Sequence, residues 1–131
     1  MIKGTTTQFK FYIPCDFSQI EQVSITFWQD GYTGPATNRP LPIIKVKEQC
    51  TTPNSPREIC VVLNQEETLR FTEERKAYVQ FRAKSIDGSY YGTKKREITV
   101  YPVYDDSILG DITPTPEFDG LIILDGGSIG S

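Results

Sequence analysis

Ala77-Tyr-Val-Gln-Phe-Arg-Ala-Lys84, running on into Ser85-Ile86-Asp87-Gly88, is the stretch that decides the fold. Ala77, Val79, Phe81 and Ala83 alternate with Tyr78, Gln80, Arg82 and Lys84, the period-two pattern of a strand with one buried and one wet face. Asp87-Gly88 then predicts a tight hairpin, since a type I′ turn needs positive φ at both central positions and Asp-Gly tolerates it. The returning strand is expected from about Gly92 or Thr93 to Tyr104, with Ile98 and Val100 inward and Glu97, Thr99 and Tyr101 outward.

The same period recurs upstream. Phe9, Phe11 and Ile13 predict a strand over about residues 6–13, stopped by Pro14, and Val23, Ile25 and Phe27 predict another over about 22–29, ended by Asp30-Gly31. Between them, Cys15 to Ile20 reads as a corner or one helical turn that Asp16 or Ser18 can cap. Tyr32 to Pro42 carries three prolines and reads as a loop. Ile43 to Lys47 reads as an edge strand with Lys45 and Lys47 on its outer face, whereas Glu58 to Leu63 is apolar on both faces and predicts a central strand. Asn64 is the expected N-cap of a short helical turn, with Glu66 and Glu67 placed for the helix dipole. Glu66, Glu67, Glu73 and Glu74 are assigned to capping and solubility. Six or seven short strands joined by turn-rich loops predict an all-β fold, a single antiparallel β-sandwich of immunoglobulin-like size. The Cys…Trp…Cys spacing of a true immunoglobulin domain is missing.

A chain of 131 residues supports one core of this kind. All fourteen Lys and Arg lie within residues 1–104 beside eleven Asp and Glu, so that part carries +3. Residues 105–131 hold six acids and no base, giving −6 and the total of −3. The expected division is therefore a sandwich over 1–104 and an extended acidic arm, containing Gly and Pro, over 105–131. Inside the arm, Leu121-Ile122-Ile123-Leu124 sits between Gly120 and Asp125. It reads either as part of a solubility tail or as a strand adding to an exposed sheet edge, its own or a neighbouring subunit's. Four consecutive apolar residues are costly to leave in water, so the second reading leads. It makes Leu121, Ile122, Ile123 and Leu124, with Asp119 and Asp125 beside them, the expected partner-binding residues.

There is no histidine, which removes Ser-His-Asp and Cys-His catalysis and His-ligated zinc together. Asp105-Asp106 lacks the spacing of a calcium loop, and Asp125-Gly-Gly-Ser-Ile-Gly has neither strand nor helix after it to make a phosphate loop. No catalytic residue, cofactor or metal site is expected, and the protein reads as a non-enzyme. The net charge gives no reason to expect nucleic-acid binding, and neither a signal peptide nor a membrane span is expected from the sequence. Cys15, Cys50 and Cys60 form no C-x-x-C pair and read as reduced thiols, with a Cys50–Cys60 bridge across the intervening loop as the alternative. Lys94-Lys95-Arg96, expected on a strand beside Tyr90 and Tyr91, reads as edge protection or as a small surface contact. Trp28, Tyr90 and Tyr91 offer rings for a glycan, or cover for an interface.

Met1-Ile-Lys-Gly-Thr-Thr with Phe9 and Phe11 after it, Val61-Val-Leu-Asn-Gln-Glu-Glu-Thr-Leu-Arg-Phe71, and Ala77-Tyr-Val-Gln-Phe-Arg-Ala-Lys84 together resemble short virion-associated β-sandwich proteins of tailed bacteriophages and prophages from gut bacteria. The resemblance covers residues 1–104. It implies a structural or accessory protein of capsid or tail, located in the virion after assembly in the host cytoplasm. The partners it implies are other virion proteins, with a homo-oligomer open within the assembly. The alternatives are a host-directed regulator or anti-defence protein, whose acidic arm meets a basic host partner, and a glycan-binding adhesion module.

Overall fold

The structure, a computed structural model, describes residues 1–35 and 41–104 in full, together with the backbone of residues 121–123 and 129–130. Asp105, Asp106, Asp119, Leu124 and Asp125 lie outside the described residues. Strands run β1 Thr7–Tyr12, β2 Ile20–Gln29, β3 Ile43–Val46 and β4 Glu58–Leu63, then a single helical turn α1 Gln65–Thr68. After it come β5 Ala77–Ser85, β6 Tyr90–Gly92, β7 Arg96–Ile98, β8 Leu121–Ile123 and β9 Ile129–Gly130. The chain is thus mostly β, as the alternation predicts.

One sheet has the order β3-β2-β5, with β6 and β7 in succession along the far side of β5. All its pairings are antiparallel. The other pairs β4 antiparallel with β1. Inward residues from both meet in one core: the Phe9 ring lies 4.8 Å from that of Phe27, and the Phe11 ring stacks on Phe81 at 5.0 Å. Ile25, Ile59, Leu63 and Ile98 are fully buried around them. These four phenyl rings, drawn from both sheets, supply apolar contact that neither sheet makes alone.

Several expectations are corrected. On β3 the faces are reversed: Ile43 and Lys45 are buried, while Ile44 and Val46 are exposed. The register explains it, because Lys45 sits opposite Ile25 and Ile43 opposite Phe27, and those two already point into the core. The Lys45 ammonium is compensated by the Glu67 carboxylate at 2.7 Å, so Glu67 is a buried ion-pair partner and not only a capping and solubility residue. β4 is a border strand of its sheet, not a central one. At its outer edge Thr51 exchanges two backbone hydrogen bonds with Cys60, while Val62 on its outward face stays exposed. Asp16 makes no side-chain cap to the turn Phe17–Gln19 and instead accepts from Arg57 Nε at 3.1 Å. The hairpin loop is Ile86-Asp87-Gly88: the Gly88 N–H donates to the Ser85 carbonyl, and Gly88 holds φ +90°. That is a three-residue loop, not the two-residue turn expected from Asp-Gly. The returning strand is broken at Thr93, whose hydroxyl accepts from Phe81 N–H, so Lys94 and Lys95 lie between β6 and β7.

Other expectations hold. Asn64 Oδ1 accepts from Glu67 N–H, and Glu67 Oε1 accepts from Asn64 N–H, a reciprocal capping box. Thr68, fully buried, donates to the Thr5 carbonyl and accepts from Gly4 N–H, which ties the entry of β1 to α1. Gln29, buried at the end of β2, bonds the 72–75 loop through three amide contacts.

All three cysteines are free, with Cys50 and Cys60 buried and Cys15 half-buried. Burial pushes the Cys50 thiol from an ordinary 9.0 up to about 11. A raised thiol pKa stabilises the fold fully below the unfolded value, and this stabilisation is lost as pH climbs towards the folded one. Between pH ~9 and ~11 the wild type should therefore lose about 2 kcal/mol more than a Cys50→Ala variant. Urea unfolding at stepped pH checks this, and parallel pH curves for the two proteins would refute it.

Candidate functional site

The outward positions of the five-stranded sheet form an open face. Cross-strand pairing sets Trp28 beside Tyr78, Thr26 beside Gln80, and Ser24 beside Arg82, with Arg82 facing Gly92 on β6. Two shallow depressions, of about 270 and 590 Å³, open on this face and share Arg82 in their linings. The smaller is walled by Lys84, Tyr90 and Tyr91, and the larger by Trp28, Tyr32 and Pro42. A Cβ at Gly92 would sit 3.8 Å from Arg82 Cγ, so the glycine leaves that side of the Arg82 stem uncovered.

Cations and rings are interleaved here. Lys95 Nζ lies 4.4 Å from the centroid of Tyr78, and Lys84 Nζ lies 6.0 Å from that of Tyr90. The Trp28 ring packs at 5.6 Å from that of Tyr78 and donates its N–H to Asp30. Lys84 also pairs with Glu21 at 3.5 Å. Beyond the rim, Asp87 is held below the usual carboxylate range by the Ser85 hydroxyl, so the hairpin tip keeps its negative charge.

The sequence-predicted contact residues are therefore divided. Trp28 joins Lys95 through Tyr78 at one end of the face, and Tyr90 with Tyr91 forms the other, so Lys95 is not beside Tyr90 and Tyr91 as expected. Lys94 and Arg96 are exposed, and Arg96 opens β7. Sequence reasoning missed Arg82, Gln80, Ser24 and Thr26 as one surface. Their signal was available as the outward set of two long neighbouring strands.

The second candidate is the edge of β1 on the side away from β4. The backbone of β8 lies parallel along it, with Gln8 opposite Leu121, Phe9 opposite Ile122 and Lys10 opposite Ile123, and β9 pairs back onto β8. Among the described residues no cluster of three His, Cys, Asp or Glu could hold a metal, and no helix is long and apolar enough to cross a membrane. No protein-family model matches the chain, and neither curated proteins nor solved structures yield a significant match.

Proposed function

We propose that the chain is a non-enzymatic virion structural or accessory protein of a bacteriophage, associated with capsid or tail. In this reading residues 1–104 form a β-sandwich of immunoglobulin-like size, and the C-terminal arm helps it dock onto neighbouring subunits. The observation that supports it most is the pairing of Leu121–Ile123 with the edge of β1. Sixteen residues separate Tyr104 from Leu121, so the strand that completes this edge arrives on a long tether. A tethered strand makes the same backbone bonds whether it serves its own β1 or a neighbour's, which is the physical basis of strand exchange between copies. Within a repetitive particle, many such contacts sum to durable attachment. Leu121, Ile122, Ile123 and Leu124 would then be the anchor, bracketed by Asp119 and Asp125.

Truncation after Asp106 tests it. The truncated chain should keep the circular dichroism of the full protein and vanish from purified particles assayed by mass spectrometry. Absence of the full-length protein from particles would end the reading, and persistence of the truncated form in them would reduce the arm to a solubility segment. The acidic arm also favours a second reading, a host-directed regulator held by a basic partner. That binding should weaken steeply with salt, whereas strand pairing should not.

A further inference from the structure

We infer that the larger depression on the open face, walled by Trp28 and Tyr32 and floored by Thr26, Gln80 and Arg82, is a binding site for a neutral sugar. Its volume of about 590 Å³ lies within the range of roughly 300–1,000 Å³ usual for sites that hold small ligands. Two long strands supply the floor: Thr26 stands opposite Gln80, two residues along from Trp28 and Tyr78, and Arg82 follows Gln80 on the same face of β5. The turn at the rim is fixed from several sides. Tyr32 N–H donates to the Gln29 carbonyl, Arg75 donates to the Asp30 carbonyl, and the indole N–H of Trp28 donates to Asp30 Oδ1 at 3.3 Å. A site held this way is formed before a ligand arrives, so binding does not have to order it.

Charge balance selects a neutral ligand. Lys84 pairs with Glu21, Glu97 pairs with Lys76, and Lys95 lies over the Tyr78 ring. Arg82 has neither hydrogen bond nor ion pair among the described residues, and Asp30 uses one carboxylate oxygen on Trp28 and leaves the other open. One cation and one anion therefore border the same depression, so a phosphate or carboxylate drawn to Arg82 would also meet Asp30. Hydroxyl groups face no such conflict, because each can accept from the guanidinium and donate to a carboxylate or an amide oxygen. The Gln80 amide nitrogen already donates to the Thr93 carbonyl, which leaves its oxygen as the acceptor.

Ring coverage selects this depression over its smaller neighbour. The C–H face of a sugar ring needs open aromatic surface. Lys84 lies over Tyr90 in the smaller depression, whereas among the described residues no cation lies over Trp28 or Tyr32. Tyr32 thus replaces Tyr90 and Tyr91 as the ring that joins Trp28 for a glycan. A strand-forming peptide has no place here, because its addition needs an unpaired strand edge and both floor strands are paired on each side.

Trp28 is the only tryptophan of the chain, so its emission reports on this depression directly. The full-length protein should bind neutral glycans on a printed array that also carries sialylated and sulfated ones. Titration with the strongest neutral oligosaccharide should then change Trp28 emission saturably. Arg82→Ala and Asp30→Ala should each weaken that binding at least about tenfold, with circular dichroism unchanged because both side chains are exposed. Tyr90→Ala, in the smaller depression, and a rise in salt from about 0.05 M to about 0.5 M should each alter it less than about twofold. Binding to no neutral glycan, or to sialylated and sulfated glycans alone, overturns the inference. Neutral binding that leaves Trp28 emission unchanged, or that survives Arg82→Ala intact, overturns it as well. The free chain is enough for these measurements, so their outcome is independent of whether the protein enters a particle.

Discussion

Glu67→Ala is expected to cost the fold about 3–5 kcal/mol, because it leaves the Lys45 ammonium buried with no countercharge. The pair is 2.7 Å apart, with both side chains nearly sealed from solvent. Glu67 serves two further ends: one carboxylate oxygen accepts from Asn64 N–H to close the capping box, and α1 carries Thr68, which clasps Gly4 and Thr5. Removing the carboxylate therefore loosens β3 and the entry to β1 together. A Lys45→Met, Glu67→Gln double variant separates charge from packing. It removes both charges yet retains an oxygen for Asn64, and should recover to within about 1–2 kcal/mol of wild type. Urea denaturation of the three proteins measures this, and a single-variant loss below about 1 kcal/mol would show that water reaches the Lys45 ammonium.

That ion pair also marks where sequence reading stops. Alternation located β1, β2 and β5 because Phe9 and Phe11, Val23 to Phe27, and Ala77 to Ala83 put every apolar residue on one parity. On β3 the wholly apolar parity, Ile44 and Val46, faces out while Ile43 and Lys45 face in, and which set faces inward depends on the register with β2, a non-local fact. The Asn64–Glu67 cap was legible because it is local. That Glu67 reaches Lys45, more than twenty residues away, was not. The break at Thr93 belongs to the same class, since a hydroxyl replaces a ladder partner only once β5 is beside it. The open face was half legible: its aromatics stood out by type, but Arg82 and Gln80 became part of a surface only when β2 and β5 were paired. β4 misled by composition, because Val62 makes its second face look apolar although that side chain is exposed at the border of the sheet.

Phe9→Ala should cost about 3–5 kcal/mol, a large share of the 5–15 kcal/mol that typically holds a domain of this size together. Phe9 has no exposed surface, its ring meets Phe27 across the layers, and its backbone lies opposite Val61 on one side and Ile122 on the other. β1 is thus the strand on which both β4 and β8 hang, and the Phe9 ring pins it to the opposite sheet. Val62→Ala, on the exposed side of the adjacent strand, removes apolar atoms of similar kind yet should change stability by no more than about 0.5 kcal/mol. Hydrogen exchange distinguishes this loss from that of the arm. Phe9→Ala should lower amide protection in β1, β4 and β8 alike, because all three open with one core. Truncation after Asp106 should expose one edge of β1 and leave the β1–β4 ladder protected, since that ladder shares no bond with the arm. Protection lost only in β1 on Phe9→Ala, or a cost below about 1 kcal/mol, would mean that the two sheets are held by something other than the Phe9–Phe27 contact.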